Sequence, residues 1–150
     1  MLRLSKKADY ALMAVRHLAL PDGPSSTSAR EIAEQYDIPL ELMAKVLQRL
    51  VRAGLLTSTQ GTRGGYTLSR VPAAISVADV IQAIDGPFMV TACSTDNHDC
   101  EQYGKCSIRD PLWQIRERIA ATLDTVTIAE MAAESDAAQA SAAPAAVITR

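Results

Sequence analysis

Apolar residues at positions 4, 8, 11, 12, 15, 18 and 19 recur every three or four residues, which predicts a helix over residues 4–20 with one buried stripe. Pro21-Asp22-Gly23-Pro24 ends it. Ser28-Ala-Arg-Glu31 has the spacing of a capping box, in which each polar side chain satisfies a backbone donor, and it opens a short second helix to about Tyr36. After Asp37-Ile38-Pro39 a third helix carries Leu42, Met43, Val46, Leu47, Leu50 and Val51 on one face. Its other face holds Glu41, Lys45, Gln48, Arg49 and Arg52, and Ala53-Gly54 closes it.

Residues 55–59 and 66–68 read as two short strands, and the glycines of Gln60-Gly61-Thr62-Arg63-Gly64-Gly65 supply the tight turn of a hairpin between them. Ser76-Val-Ala-Asp79 starts a helix that runs through Ile84. Residues 86–107 show no period and contain all three cysteines. Asp110 as N-cap and Pro111 in the first turn then open a helix with Leu112, Ile115, Ile119, Leu123 and Val126 in a stripe, long for so small a core and suited to dimerisation. Thr127-Ile-Ala-Glu130 begins one more short helix, and the Ala, Ser and Pro-rich residues from Ser135 are expected to be disordered. The order of elements predicts a mainly α fold with a small β-hairpin wing. A winged helix-turn-helix covers 1–85, the cysteine loop 86–107, a long dimerisation helix with a short terminal helix 108–134, and a tail 135–150.

Composition adds two points. Hydrophobic residues make up 48% of the 150, but aromatics only 4%, as expected where aliphatic side chains pack helix on helix. Charged side chains interrupt every apolar run, so no segment is expected to span a bilayer and the protein is expected in the cytoplasm. The net charge of -2 hides an asymmetry: residues 1–70 hold ten Lys and Arg against six Asp and Glu, whereas 71–150 hold five against eleven. That distribution suits a front half that meets a polyanion.

In a winged helix one helix enters the major groove of double-stranded DNA while the hairpin follows the backbone or minor groove. Lys45 and Arg49, four residues apart with Gln48 between them, place two cations and an amide on one helical face. The cations suit phosphates, and Gln48 or Arg49 suits base edges. Ser28 and the amides that start the second helix could hold a further phosphate. At the hairpin tip, Thr62 and the small neighbours of Arg63 let that arginine protrude into a narrow minor groove. The competing reading is a solvated basic face on a winged helix that binds protein; Glu41, which would repel phosphate, falls under it.

The cysteines are spaced C-x6-C-x5-C. Three thiolates in one loop repel unless a metal centre neutralises them, and soft thiolates suit an iron-sulfur cluster, Zn or Cu(I). The spacings are wide and no C-x2-C pair exists, which disfavours a zinc knuckle. Reduced or redox-reactive thiols without metal are the plain alternative. A fourth ligand would come from His98 in the loop, or from Asp9 on the first helix reaching a partner subunit; each has an ordinary reading as a solvated surface group. Asp96, Asp99 and Glu101 rank lower. No nucleophile and base pair and no phosphate loop suggest an enzyme or a small-molecule substrate.

With LRLSKKADYAL at its start, TRGGYTL in the wing and three loop cysteines before a PLW helix start, the sequence resembles the Rrf2 family of winged-helix regulators over residues 1–134. RAGLL, RGGYTL, ISVADVIQAIDGP, TACS and KCSIRDPLW look closest to the iron-sulfur-cluster-binding members that regulate SUF cluster-assembly operons. The resemblance implies a symmetric homodimer on a DNA operator, with a 2Fe-2S or 4Fe-4S cluster at Cys93, Cys100 and Cys106, which match the three ligand positions. IscR-type members have a histidine ligand three positions after the third cysteine, where this chain has Arg109. Some nitric-oxide-sensing members use an acidic residue from the partner's first helix, a position that Asp9 matches, and this ranks Asp9 above His98. The function so implied is transcriptional control by cluster status, of SUF-type assembly genes. Its alternatives are a nitric-oxide or redox-responsive regulator and a zinc or thiol regulator without a cluster.

Overall fold

The computed structural model describes residues 3–62, 64–91 and 100–141. Arg63, Cys93, Asp96, His98 and Asp99 lie outside them. Helix α1 (Lys6–Leu18) starts where the Ser5 hydroxyl accepts from the Ala8 amide at 3.1 Å, so Leu4 stands before the helix. It buries Ala8, Ala11, Leu12, Ala14 and Val15, and these mostly small side chains let α1 pack against three other helices.

Helix α2 (Ala29–Gln35) has the expected capping box: the Glu31 carboxylate accepts from the Ser28 amide at 2.7 Å, and the Glu31 amide donates to the Ser28 hydroxyl at 3.2 Å. Helix α3 (Leu40–Arg52) buries Met43, Val46, Leu47 and Leu50, each contributing about 1.5–3 kcal/mol by leaving water. It stops at Gly54, whose φ of 77° is open to glycine at no steric cost. Strands β1 (Leu56–Thr59) and β2 (Gly65–Leu68) pair antiparallel with Leu56 opposite Leu68 and Thr59 opposite Gly65.

A 3-10 turn, Pro72–Ala74, leads to helix α4 (Val77–Asp85), capped by Ser76 and Asp79 through two bonds of 3.0 Å. Helix α5 (Arg109–Thr125) follows the cysteine segment, and α6 (Ile128–Ser141) returns to α1. The amide of Val77 donates to the Val126 carbonyl and that of Ile128 to the Ile75 carbonyl, both at 2.9 Å, so the α5–α6 junction is stitched to the start of α4. Ile128 is fully buried in the same core as α1, α3 and α4. No helix among the described residues is long and apolar enough to cross a membrane.

Three details differ from the sequence reading. Asp110 is not an N-cap: α5 starts two residues earlier than such a cap implies, with Ile108 at the cap and no side chain closing it, and the Asp110 carboxylate is taken by Arg109 at 2.8 Å. Residues from Ser135, expected to be disordered, continue α6 as far as Ser141, where alanine-rich composition favours helix. Part of the loop is ordered locally as a 3-10 turn, Tyr103–Lys105.

Candidate nucleic-acid interface and cysteine turn

The polar face of α3 forms the wall of a cleft of about 290 Å³. Lys45, Gln48, Arg49 and Arg52 line it together with Lys7 from α1, over an apolar floor of Leu42, Val46 and Ile84. Lys45, Gln48, Arg49 and Arg52 are exposed because Met43, Val46, Leu47 and Leu50 fix the opposite stripe in the core. Lys7 was not singled out from sequence. Only the packing of α1 on α3 brings it beside cations some forty residues away, and no local pattern signals that.

The four cations do not stand alike. Arg49 donates from Nη1 to the Ile84 carbonyl at 2.7 Å, across the cleft, at the C-terminal end of α4. Gln48 lies between this cleft and a second one of about 330 Å³ between α3 and the wing, lined by Arg52, Ser58, Gln60 and Tyr66. Gln48 and Arg52, which line both clefts, thus stand where the helix face meets the hairpin. Thr62 is exposed at the turn, where Gly61 has a φ of 120°, as a glycine-bearing tight turn requires. The start of α2 is less available to a phosphate than its sequence suggests, because the Glu31 carboxylate already accepts from the Ser28 amide. The amide and hydroxyl of Ser28 hold the Glu31 carboxyl below its ordinary range.

The two cysteines of the described segment flank the Tyr103–Lys105 turn. Cys100 is exposed, Cys106 half-buried, and neither is in a disulfide. The Tyr103 amide donates to the Cys100 carbonyl at 2.9 Å and the Lys105 amide to the Gln102 carbonyl at 3.0 Å. Arg109 braces this turn. Its Nη1 donates to the Tyr103 carbonyl at 3.2 Å and its guanidinium lies 4.5 Å from the centre of the Tyr103 ring. Its Nε bond to Asp110, and then its charge, hold that carboxyl below the usual range. Asp9 stands half-buried in the first turn of α1, where a carboxylate complements the helix dipole. Among the described residues no three His, Cys, Asp or Glu side chains converge as a metal site.

Residues 4–134 match the Rrf2 family, described as an iron-dependent transcriptional regulator. The chain belongs to the Rrf2 family. This Rrf2 chain is 32% identical over 133 residues to the transcriptional repressor NsrR of Streptomyces coelicolor, covering 88% of this chain and 89% of that one. It is 32% identical over 136 residues to the transcriptional regulator IscR of Yersinia pseudotuberculosis, covering 90% and 82%. The solved structure of CymR, the global cysteine regulator of B. subtilis, superposes with a TM-score of 0.70 at 30% identity, over 89% of this chain and 98% of that one. The hairpin beside α3 is accordingly the wing of a winged-helix regulator, and this Rrf2 protein is a DNA-binding transcription regulator rather than an enzyme.

Proposed function

We propose that the protein is a cytoplasmic homodimeric regulator that reads its operator with α3 and the wing and senses an iron-sulfur cluster, controlling genes of SUF-type cluster assembly. The observation that carries the reading is the braced Tyr103–Lys105 turn, flanked by the unpaired thiols of Cys100 and Cys106, in a chain related to NsrR and IscR. Soft, uncrosslinked thiols fit the group chemically, and disulfide-free cysteines are what cluster ligation needs. Cys93, Cys100 and Cys106 would hold it, with Asp9 of the partner subunit as fourth ligand ahead of His98. When bound, a 2Fe-2S or 4Fe-4S cluster supplies an iron-thiolate centre that oxidants, nitric oxide or iron shortage can remove.

The chain's own residues supply the rest. Arg109, which stands where a histidine ligand would be in IscR-type members, holds the turn through Tyr103. On DNA, Lys45 and Lys7 meet phosphates, Gln48 meets a base edge, and Arg63 with Thr62 enters the minor groove. Two copies would place their recognition helices on half-sites about one helical turn, roughly 34 Å, apart. The likeness to CymR favours a second reading, a thiol-based regulator in which Cys100 and Cys106 respond without metal.

Anaerobic purification followed by visible absorption and native mass measurement tests the choice. A coloured dimer carrying iron and sulfide is expected. A colourless protein with zinc or no metal, binding its operator identically with and without iron, would overturn the cluster reading.

A further inference from the structure

The carbonyls in the last turn of a helix have no partner within it and carry the negative end of its dipole. In α4 the Ile84 carbonyl is claimed from outside, by the Arg49 guanidinium at 2.7 Å. Ile84 cannot adjust independently, because its side chain is buried in the core. The next residue is held as firmly. The carboxylate of Asp85 accepts from the Ser5 hydroxyl at 2.6 Å and from the Ser5 amide at 3.2 Å, fixing it to the start of α1. Gly86 then turns the chain with φ 80° and ψ -167°, a conformation that L side chains resist, and the cysteine-bearing segment begins.

From this geometry we infer that Arg49 is a positioning residue, which joins the recognition helix to the origin of the cysteine segment by gripping the C-terminus of α4. Its place on the exposed face of α3 makes it look like a base reader. Its donor, however, is directed at a protein carbonyl across the cleft. A guanidinium has five donors, and a phosphate or guanine edge offers it a bidentate site. Arg49 therefore has two discrete partners, the Ile84 carbonyl and DNA. A displacement of Gly86 and the residues after it changes how well the first one competes, and Ser5 carries the same displacement to α1. The inference rests on the proposed function in one respect: that residues 86–107 respond to a bound centre.

Hydrogen exchange on the metal-free protein tests the grip by itself. Arg49→Ala should speed exchange of the Asp85 and Gly86 amides about tenfold while the core amides of α1 stay protected, and Arg49→Lys should restore part of that protection. Operator affinity, measured for wild type and both variants with and without reconstituted iron and sulfide, tests the coupling. The ratio between the two forms should shrink toward one in Arg49→Ala. Unchanged exchange at Asp85 and Gly86, with affinity falling equally in both forms, would make Arg49 a DNA contact only and overturn the inference. Accelerated exchange in a protein whose wild type ignores the cluster would uphold the grip and end the cluster reading instead.

Discussion

Thr27 and Tyr66 exchange two backbone hydrogen bonds, Tyr66 donating at 2.8 Å and Thr27 at 3.2 Å, so the residue before the α2 cap forms a one-residue antiparallel bridge to the wing. Thr27 is almost fully buried there although polar, because the wing backbone takes up its own polar groups. The wing is thereby tied to the helix-turn-helix rather than hanging from β1 alone, and its angle to α3 is a property of the whole domain.

Gly65 is the position that makes this contact possible. A Cβ on it would stand 2.8 Å from the Thr27 carbonyl carbon and oxygen, closer than carbon and backbone atoms tolerate. Gly65→Ala should therefore cost about 1–3 kcal/mol in stability, read from denaturant unfolding, and weaken operator binding through a displaced wing. Unfolding at the wild-type midpoint would show that Thr27 moves aside freely.

His17 gives the fold a pH dependence. Its Nδ1 lies 3.0 Å from the Tyr36 hydroxyl and its ring meets the Tyr36 ring edge-on. Burial, then the charge of Arg16, hold its pKa below the ordinary 6.5, against an opposing pull from Glu31. The unfolded chain binds the proton more readily, so the stability gained by keeping His17 neutral is full above 6.5 and is lost as pH falls through the lower folded value. Denaturant midpoints should thus decline on acidification below that pH, and His17→Gln should flatten the decline. An equal slope in the variant would contradict it.

On the proposed DNA face two kinds of contact are expected. Gln48→Ala should cost about 1–3 kcal/mol on the cognate operator and relax preference at one base pair, whereas Lys45→Ala should weaken all sequences alike and reduce the salt slope by about one. Arg63→Ala should lower operator affinity at fixed salt. A competition titration against non-cognate duplex distinguishes them, and equal losses on both duplexes for Gln48→Ala would remove its reading role.

The fourth ligand of the proposed cluster can be assigned by loss of colour. In protein prepared without oxygen, Asp9→Ala should shorten the lifetime of the visible absorption while His98→Ala leaves it near wild type. The opposite pattern would transfer the role to His98.

Much of this fold could be read from spacing, because each helix writes its core face as an apolar stripe and its start as a polar cap. Ser28 with Glu31, Ser76 with Asp79 and Thr127 with Glu130 all close as the sequence predicts. Asp110 did not, since a neighbouring arginine outcompeted the backbone for its carboxylate. The polar face of α3 was legible because α3 is strongly two-faced, whereas the place of Lys7, the Arg49 grip and the Ser5–Asp85 pair were not. Each joins residues from different elements, and Ser5 and Asp85 stand 80 positions apart. No local period encodes such meetings. Arg109 was legible as a substitution for histidine, but its grip on Tyr103 depends on the turn geometry.

Helix α5 has no buried residue of its own, and Trp113 and Ile115 stand 40% and 45% exposed along it. In the proposed homodimer a second copy would cover that surface and bind the native chain but not the unfolded one, which would make thermal resistance a matter of mass action. Dilution would then work like a denaturant, and the melting point would rise with protein concentration. A regulator at low copy number would live close to that limit.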